Sequence, residues 1–158
     1  MESIVAPLLI SDFPKFMQIE LPPGGLESIL QYPPFLVEKL LFGEREFSEK
    51  EKSIYYAPFK NLGEDCRPII SFDIPANGQP EYTTKIAKEY SEWMATNDLP
   101  KLLIKAEPGY LIRNRTYDIC KNWKNQTEVQ VKGTHFIQEI SPNEIGKAIS
   151  DFVDKILK

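Results

Sequence analysis

The sequence predicts an α/β protein that carries only part of its sheet. Three features lead there. The last third of the chain alternates strand and helix, the rhythm of a parallel α/β fold. The first two thirds are cut into short pieces: most of the 13 prolines in the 158 residues fall before residue 101. Only two good strands are found, joined by a helix. A pair of parallel strands needs cover on both faces and leaves open edges. The pattern is that of the tail of a larger sheet whose earlier strands are absent.

Each element follows from local chemistry. Residues 1 to 14 begin Met1-Glu2-Ser3-Ile4, run apolar to Ile10 and stop at Ser11-Asp12-Phe13-Pro14, with nothing before Glu2 to hold it in place. Residues 15 to 43 read as short helical segments split by Pro22-Pro23-Gly24-Gly25 and Pro33-Pro34. Phe35 to Phe42 is apolar on too many sides for a solvent-bathed helix. Ser48 and Glu51 form a capping box, and Pro58 bends or ends the helix they open. A loop-rich stretch runs from 61 to 80, with a short helix around Ile69 to Phe72. From Glu81 to Met94, Ile86, Ala87, Tyr90, Trp93 and Met94 recur at helical spacing. Leu102, Leu103 and Ile104 are consecutive, as in a buried parallel strand, which Glu107-Pro108-Gly109 ends. The next helix spans Ile112 to Trp123, and the second strand Glu128 to Val131. In the last helix Ser141 caps, Pro142 takes the first position and Glu144 the third. Its apolar stripe runs Ile145, Ala148, Ile149, Phe152, Val153, Ile156 and Leu157.

Composition excludes several classes. A hydrophobic fraction of 42% supports a core, so disorder is not expected. The 19 basic and 23 acidic residues are interspersed, for a net charge of -4. Without a basic block, nucleic acid and anionic membrane are not expected partners. No apolar run reaches a membrane span and no signal peptide is visible, which predicts a cytoplasmic protein. Cys66 and Cys120 lack metal-type spacing; two reduced thiols are expected, with one disulfide as the alternative.

The chemistry concentrates in Val129-Gln130-Val131-Lys132-Gly133-Thr134-His135-Phe136, which holds the chain's single histidine. A strand, a tight glycine loop and then a capped helix put that imidazole at the C-terminal edge of a sheet, where α/β folds keep their sites. Imidazole titrates near neutral pH and can take and return a proton. The alternative is an ordinary loop histidine bonded to its surroundings.

Several segments together resemble the C-terminal third of haloalkane dehalogenases, enzymes of the α/β-hydrolase fold. They are Leu99-Pro100-Lys101-Leu102-Leu103-Ile104-Lys105-Ala106-Glu107-Pro108-Gly109, Trp123-Lys124-Asn125-Gln126-Thr127-Glu128, Lys132 to Glu139 and Ser141-Pro142-Asn143-Glu144-Ile145-Gly146. Renilla-type coelenterazine luciferases share much of this. Val37-Glu38, Pro58-Phe59 and Cys66-Arg67-Pro68 fall where that family's cap domain has similar pieces. The resemblance implies a helical cap plus the last two parallel strand–helix units. Residues 1–10 would end the strand-six region with the acid loop, 11–98 would form the cap, and 99–158 the C-terminal core segment. The family's earlier half is not found here: neither its His-Gly-x-Pro loop with a halide-binding Asn nor its nucleophile elbow with Asp and adjacent Trp.

The family chemistry implies a carboxylate attack on a carbon–halogen bond, then hydrolysis of the alkyl-enzyme ester by a histidine-activated water. His135 would be the base. Met1-Glu2-Ser3-Ile4 is similar to the family's acid position after strand six, making Glu2 the orienting carboxylate, though one expected to hang at a loose end. Glu107 is the alternative acid; otherwise its carboxylate bonds backbone amides of the Pro108-Gly109 turn. Leu111, Phe136, Leu36 and Leu21 match positions lining the family's apolar pocket, or else are core packing. Glu44 and the stretch Phe72-Asp73-Ile74-Pro75 depart from the family and leave the substrate range open. No metal and no cofactor is implied. The expected partners are a small hydrophobic substrate and the missing N-terminal half of the same fold. A cofactor-independent, luciferase-like monooxygenase is the second reading, and a non-catalytic product that binds a partner through its open sheet edge is the third.

Overall fold

The computed structural model describes residues 2–15, 30–31, 37–43, 45–61, 63–70 and 74–158. The chain divides into two compact units, residues 1–18 with 74–158, and residues 19–73.

In the second unit, helix α1 spans Glu49–Tyr56. Its capping box forms as the sequence requires: Glu51 N donates to Ser48 Oγ at 3.3 Å and Ser48 N to Glu51 Oε2 at 2.8 Å. Pro58 lies in a 3-10 turn, Ala57–Phe59, that ends the α-helix. The apolar segment before it is a π-helical turn, Val37–Leu41. The short helix expected near Ile69 is a 3-10 helix placed earlier, Gly63–Ile70.

The first unit holds the sheet. Helix α2 (Glu81–Thr96) precedes strand β1 (Lys101–Pro108), helix α3 (Asn114–Cys120), strand β2 (Gln126–Gly133), the short helix α4 (Ile137–Ile140) and helix α5 (Pro142–Ile156). The strands are parallel and in register from Lys101 opposite Gln126 to Pro108 opposite Gly133. Both faces are covered. Leu103 packs with Val5, Ile112, Cys120 and Trp123 on one side. Ala106 and Val131 pack with Ile137 on the other, flanked by Ile104, Val129 and Ile145. Leu103 and Ala106 point opposite ways because side chains alternate along a strand.

Four expectations change. Along α2 only Ala87 and Ser91 are buried, while Ile86, Tyr90 and Trp93 are exposed. Along α5 only Ala148 is buried, and Ile149, Val153 and Ile156 are exposed. Helix α3 starts at Asn114 rather than Ile112, because residues 110–112 are drawn out to bind a carboxylate. Ser141 does not cap α5 with its side chain; its Oγ donates to the Lys132 carbonyl at 2.8 Å, tying the helix start to β2. Both cysteines are free and buried. Among the described residues no helix is long and apolar enough to cross a membrane.

Lys101 is a buried cation at the first residue of β1. Its Nζ donates to the carbonyls of Asn97, Leu99 and Lys124 at 2.9, 3.0 and 2.7 Å, so every ammonium proton has an acceptor.

Candidate active site

The site forms where both strands end. Gly109 and Gly133 follow one another across the sheet, with Gly109 N donating to Gly133 O at 3.2 Å. Gly109 has φ +65, and a Cβ there would lie 2.9 Å from Glu2 Oε1 and 3.0 Å from the Ala106 carbonyl. Only glycine combines that backbone with room for the carboxylate.

Past Gly109 the chain turns so that three consecutive N–H groups converge. Tyr110 N donates to both Glu2 oxygens at 3.0 Å, Leu111 N to Oε2 at 2.8 Å and Ile112 N to Oε1 at 3.1 Å. Successive amides aimed inward make an anion-binding concavity. Glu2 fills it and is 6% exposed. Its own N–H donates to the His135 carbonyl at 3.0 Å. Glu2 is therefore clamped by backbone on two sides, not a loose end as expected from its place in the sequence. Burial alone would raise its pKa, but the bonds from His135 and from the amides of Leu111, Ile112 and Tyr110 together outweigh it and hold the carboxyl below its ordinary range.

The segment carrying Glu2 has a second anchor. Arg115 of α3 donates from Nε to both oxygens of Asp12 at 3.1 Å and from Nη2 to the Pro7 carbonyl at 2.8 Å, with a further Nη2 bond to Asp12 Oδ2. Asp12 also accepts from Leu9 N at 2.7 Å. Burial works against the Asp12 charge, and the guanidinium overcomes it and lowers the Asp12 pKa.

His135 sits above Glu2, with Nδ1 3.3 Å from Glu2 Oε2, at the long end of hydrogen bonding. Its side chain is 20% exposed against 1% for Glu2, so the carboxylate is shut in and the ring has one side toward open space. The Tyr110 ring is stacked with the imidazole at 6.5 Å and the Phe136 ring meets it edge-on at 4.8 Å. A carboxylate on Nδ1 selects the tautomer that leaves Nε2 as the basic nitrogen.

The other sequence-derived candidates separate. Glu107 is exposed and accepts from Lys105 Nζ at 2.7 Å. The amides of its turn do receive a carboxylate, but that of Glu2. Leu111 is buried beside the pair and Phe136 is half-buried against the imidazole. Leu21 and Leu36 lie outside the described residues, as do Glu44, Phe72 and Asp73. Sequence reasoning missed the three amides, Gly109 as the residue that admits Glu2, and Tyr110 beside the imidazole. The Pro108-Gly109 turn directly after an apolar strand was the signal available for the first two.

No family model matches the chain. Individual proteins do. A haloalkane dehalogenase of Sphingobium indicum is 43% identical over 99% of this chain and 55% of its own length. The chain is homologous to the haloalkane dehalogenases. It spans about half the length of such relatives: a second, from Mycolicibacterium smegmatis, is 40% identical over 99% of the chain and 53% of its own length. The coelenterazine h 2-monooxygenase of Renilla reniformis is 37% identical over 78% of the chain and 42% of its own length. The crystal structure of a haloalkane dehalogenase from Bradyrhizobium elkani superposes with TM-score 0.80 at 28% identity, over 96% of this chain and 56% of that one. The fold is thus a portion of an α/β hydrolase with two parallel strands and their helices.

Proposed function

We propose that Glu2 and His135 are the acid and base of a haloalkane dehalogenase site that hydrolyses carbon–halogen bonds. The observation that supports this most directly is the Glu2 carboxylate, buried, held by three amides and 3.3 Å from His135 Nδ1. A carboxylate so fixed has one open task, to orient the imidazole and stabilise it when protonated.

The reaction follows from that pair. A second carboxylate, supplied from outside these 158 residues together with the halide donors, displaces halide from carbon and becomes an alkyl ester. Water then attacks the ester's acyl carbon while His135 Nε2 takes its proton. The intermediate collapses, the alkoxide leaves with the proton from the imidazolium, and the carboxylate is restored. Glu2 lowers the energy of the imidazolium throughout. Leu111 and Phe136 would lie along the alkyl chain of a small hydrophobic substrate. The remaining half of the fold would be the structural partner, and the protein would act in the cytoplasm.

The test uses a protein that joins this stretch to a segment bearing the nucleophile. It should release bromide from 1-bromobutane continuously. With His135→Ala it should release one equivalent and gain the mass of one butyl group, because the ester forms and is not hydrolysed. The 158-residue chain alone should release none. Bromide released by the chain alone, or turnover that survives His135→Ala, would sink the reading. Similarity to the Renilla monooxygenase supports a second reading, oxygenation of a coelenterazine-type substrate; light on adding coelenterazine, with no bromide release, would establish it instead.

A further inference from the structure

We infer that Thr116 is a positioning residue for the acid: its hydroxyl polarises the peptide group that donates to Glu2. The inference rests on the reading of Glu2 and His135 as an acid–base pair. Thr116 lies in the first turn of α3 and is 1% exposed. Its Oγ1 accepts from Arg113 N at 3.0 Å. Its one proton has two carbonyls in reach, those of Leu111 and of Arg113, the latter at 2.8 Å. The Arg113 carbonyl already receives the N–H of Thr116 at 3.2 Å and of Tyr117 at 3.5 Å. The Leu111 carbonyl is therefore the acceptor that most needs the proton.

That carbonyl belongs to the peptide unit whose N–H is that of Ile112, and Ile112 N donates to Glu2 Oε1 at 3.1 Å. The planar peptide carries its C=O and N–H on opposite sides. Donation into the oxygen draws electron density from nitrogen and strengthens the N–H as a donor, the cooperative effect of a hydrogen-bonded chain. The chain runs from Arg113 N–H to Thr116 Oγ1, from Thr116 O–H to the Leu111 carbonyl, and through the peptide to Glu2. Thr116 acts on Glu2 through this peptide: it fixes the plane and the strength of one of the three amides that keep Glu2 ionised. Its methyl and hydroxyl are both enclosed, so the residue also keeps water from competing for the Leu111 carbonyl.

The measurement is a carbon-13 NMR titration of the Glu2 carboxyl in the full chain. Thr116→Val keeps the shape and removes the hydroxyl; the Glu2 titration should move to higher pH, and the Ile112 amide proton should shift upfield at neutral pH. Thr116→Ser should restore both. A folded Thr116→Val with the Glu2 titration unmoved overturns the inference, as does a Thr116→Ser that fails to restore it. The unsubstituted chain gives a second test should the valine variant not fold: the Thr116 hydroxyl proton should exchange slowly and its shift should follow the Glu2 titration. A hydroxyl signal that does not follow Glu2 overturns the proposal. Failure of the underlying reading shows elsewhere, as an imidazole tautomer of His135 that Glu2→Gln leaves unchanged.

Discussion

The two ends of the β1–β2 pair each bury one charge and satisfy it with backbone, and one of them also sets an imidazole against that charge. At the N-terminal end Lys101 is enclosed by three carbonyls. At the C-terminal end Glu2 is enclosed by three amides. The device is the same with the sign reversed: an ion that would be costly to bury is made tolerable by charge-assisted hydrogen bonds to groups that cannot move away. The difference is the fourth partner. Among the described residues Lys101 Nζ is held by carbonyls, which do not titrate. Glu2 also has the imidazole of His135. A buried ion becomes a candidate site when something facing it can change charge.

Breaking the inert end should cost the most stability. Lys101→Met keeps the stem and leaves the carbonyls of Asn97, Leu99 and Lys124 without their donor, a loss of about 3 kcal/mol. Denaturant unfolding measures it, and the His135 resonances should be unchanged because the substitution lies at the far edge of the sheet. Movement of those resonances would mean that the ends are coupled.

Gly109→Ala attacks the other end through space. The new Cβ meets the Glu2 carboxylate at 2.9 Å on a backbone with positive φ, and about 2 kcal/mol should be lost. Here the Glu2–His135 bond must yield too, so a change in the imidazole tautomer seen by nitrogen-15 NMR should accompany the loss. Equal destabilisation with an unchanged tautomer would show that the clash is absorbed elsewhere.

Glu2→Gln separates charge from shape. The amide cannot accept from all three N–H groups at both of its ends, and about 1–2 kcal/mol should be lost at neutral pH. The sign of the pH dependence follows from the lowered pKa. Stability from Glu2 is fully present above the carboxyl's unfolded-state value and is lost as pH falls through the folded value. The unsubstituted chain should therefore weaken more steeply in acid than Glu2→Gln. The two curves should converge at low pH, as stability measured against pH will show. Parallel curves would mean that the Glu2 charge contributes nothing.

The same contrast explains what was legible in the sequence. Leu102-Leu103-Ile104 announced β1 because a strand buried on both faces needs an apolar run. The ends of β2 were missed because Gln126 and Lys132 are polar there and are held by backbone pairing rather than side-chain burial. His135 was legible as a lone imidazole after a strand and a glycine. Glu2 was recognised as an acid through resemblance, yet expected to be loose, because its restraint comes from the N–H groups of Tyr110, Leu111 and Ile112. An amide leaves no letter in a sequence: Ile112 was assigned to a helix start and Leu111 to a pocket wall on the strength of side chains that the carboxylate does not use. Thr116 escaped for the same reason, since its partners are peptide groups.

Ser141→Ala is the smallest test and the control for the others. Ser141 also lies near the C-terminal edge, but its Oγ serves the Lys132 carbonyl of β2, not the carboxylate. Losing that bond should cost about 1 kcal/mol, an ordinary buried hydrogen bond. Because the lost group is neutral and bonds a backbone carbonyl rather than a carboxylate, the stability-versus-pH curve should drop by the same amount at every pH and keep its shape. If the curve instead flattened in acid as in Glu2→Gln, the pH dependence would belong to the whole edge of the sheet rather than to the carboxylate. A uniform drop confines it to Glu2 and the ring beside it, which is what the proposed acid–base pair requires and what the enclosed Lys101, for all its bonds, cannot offer.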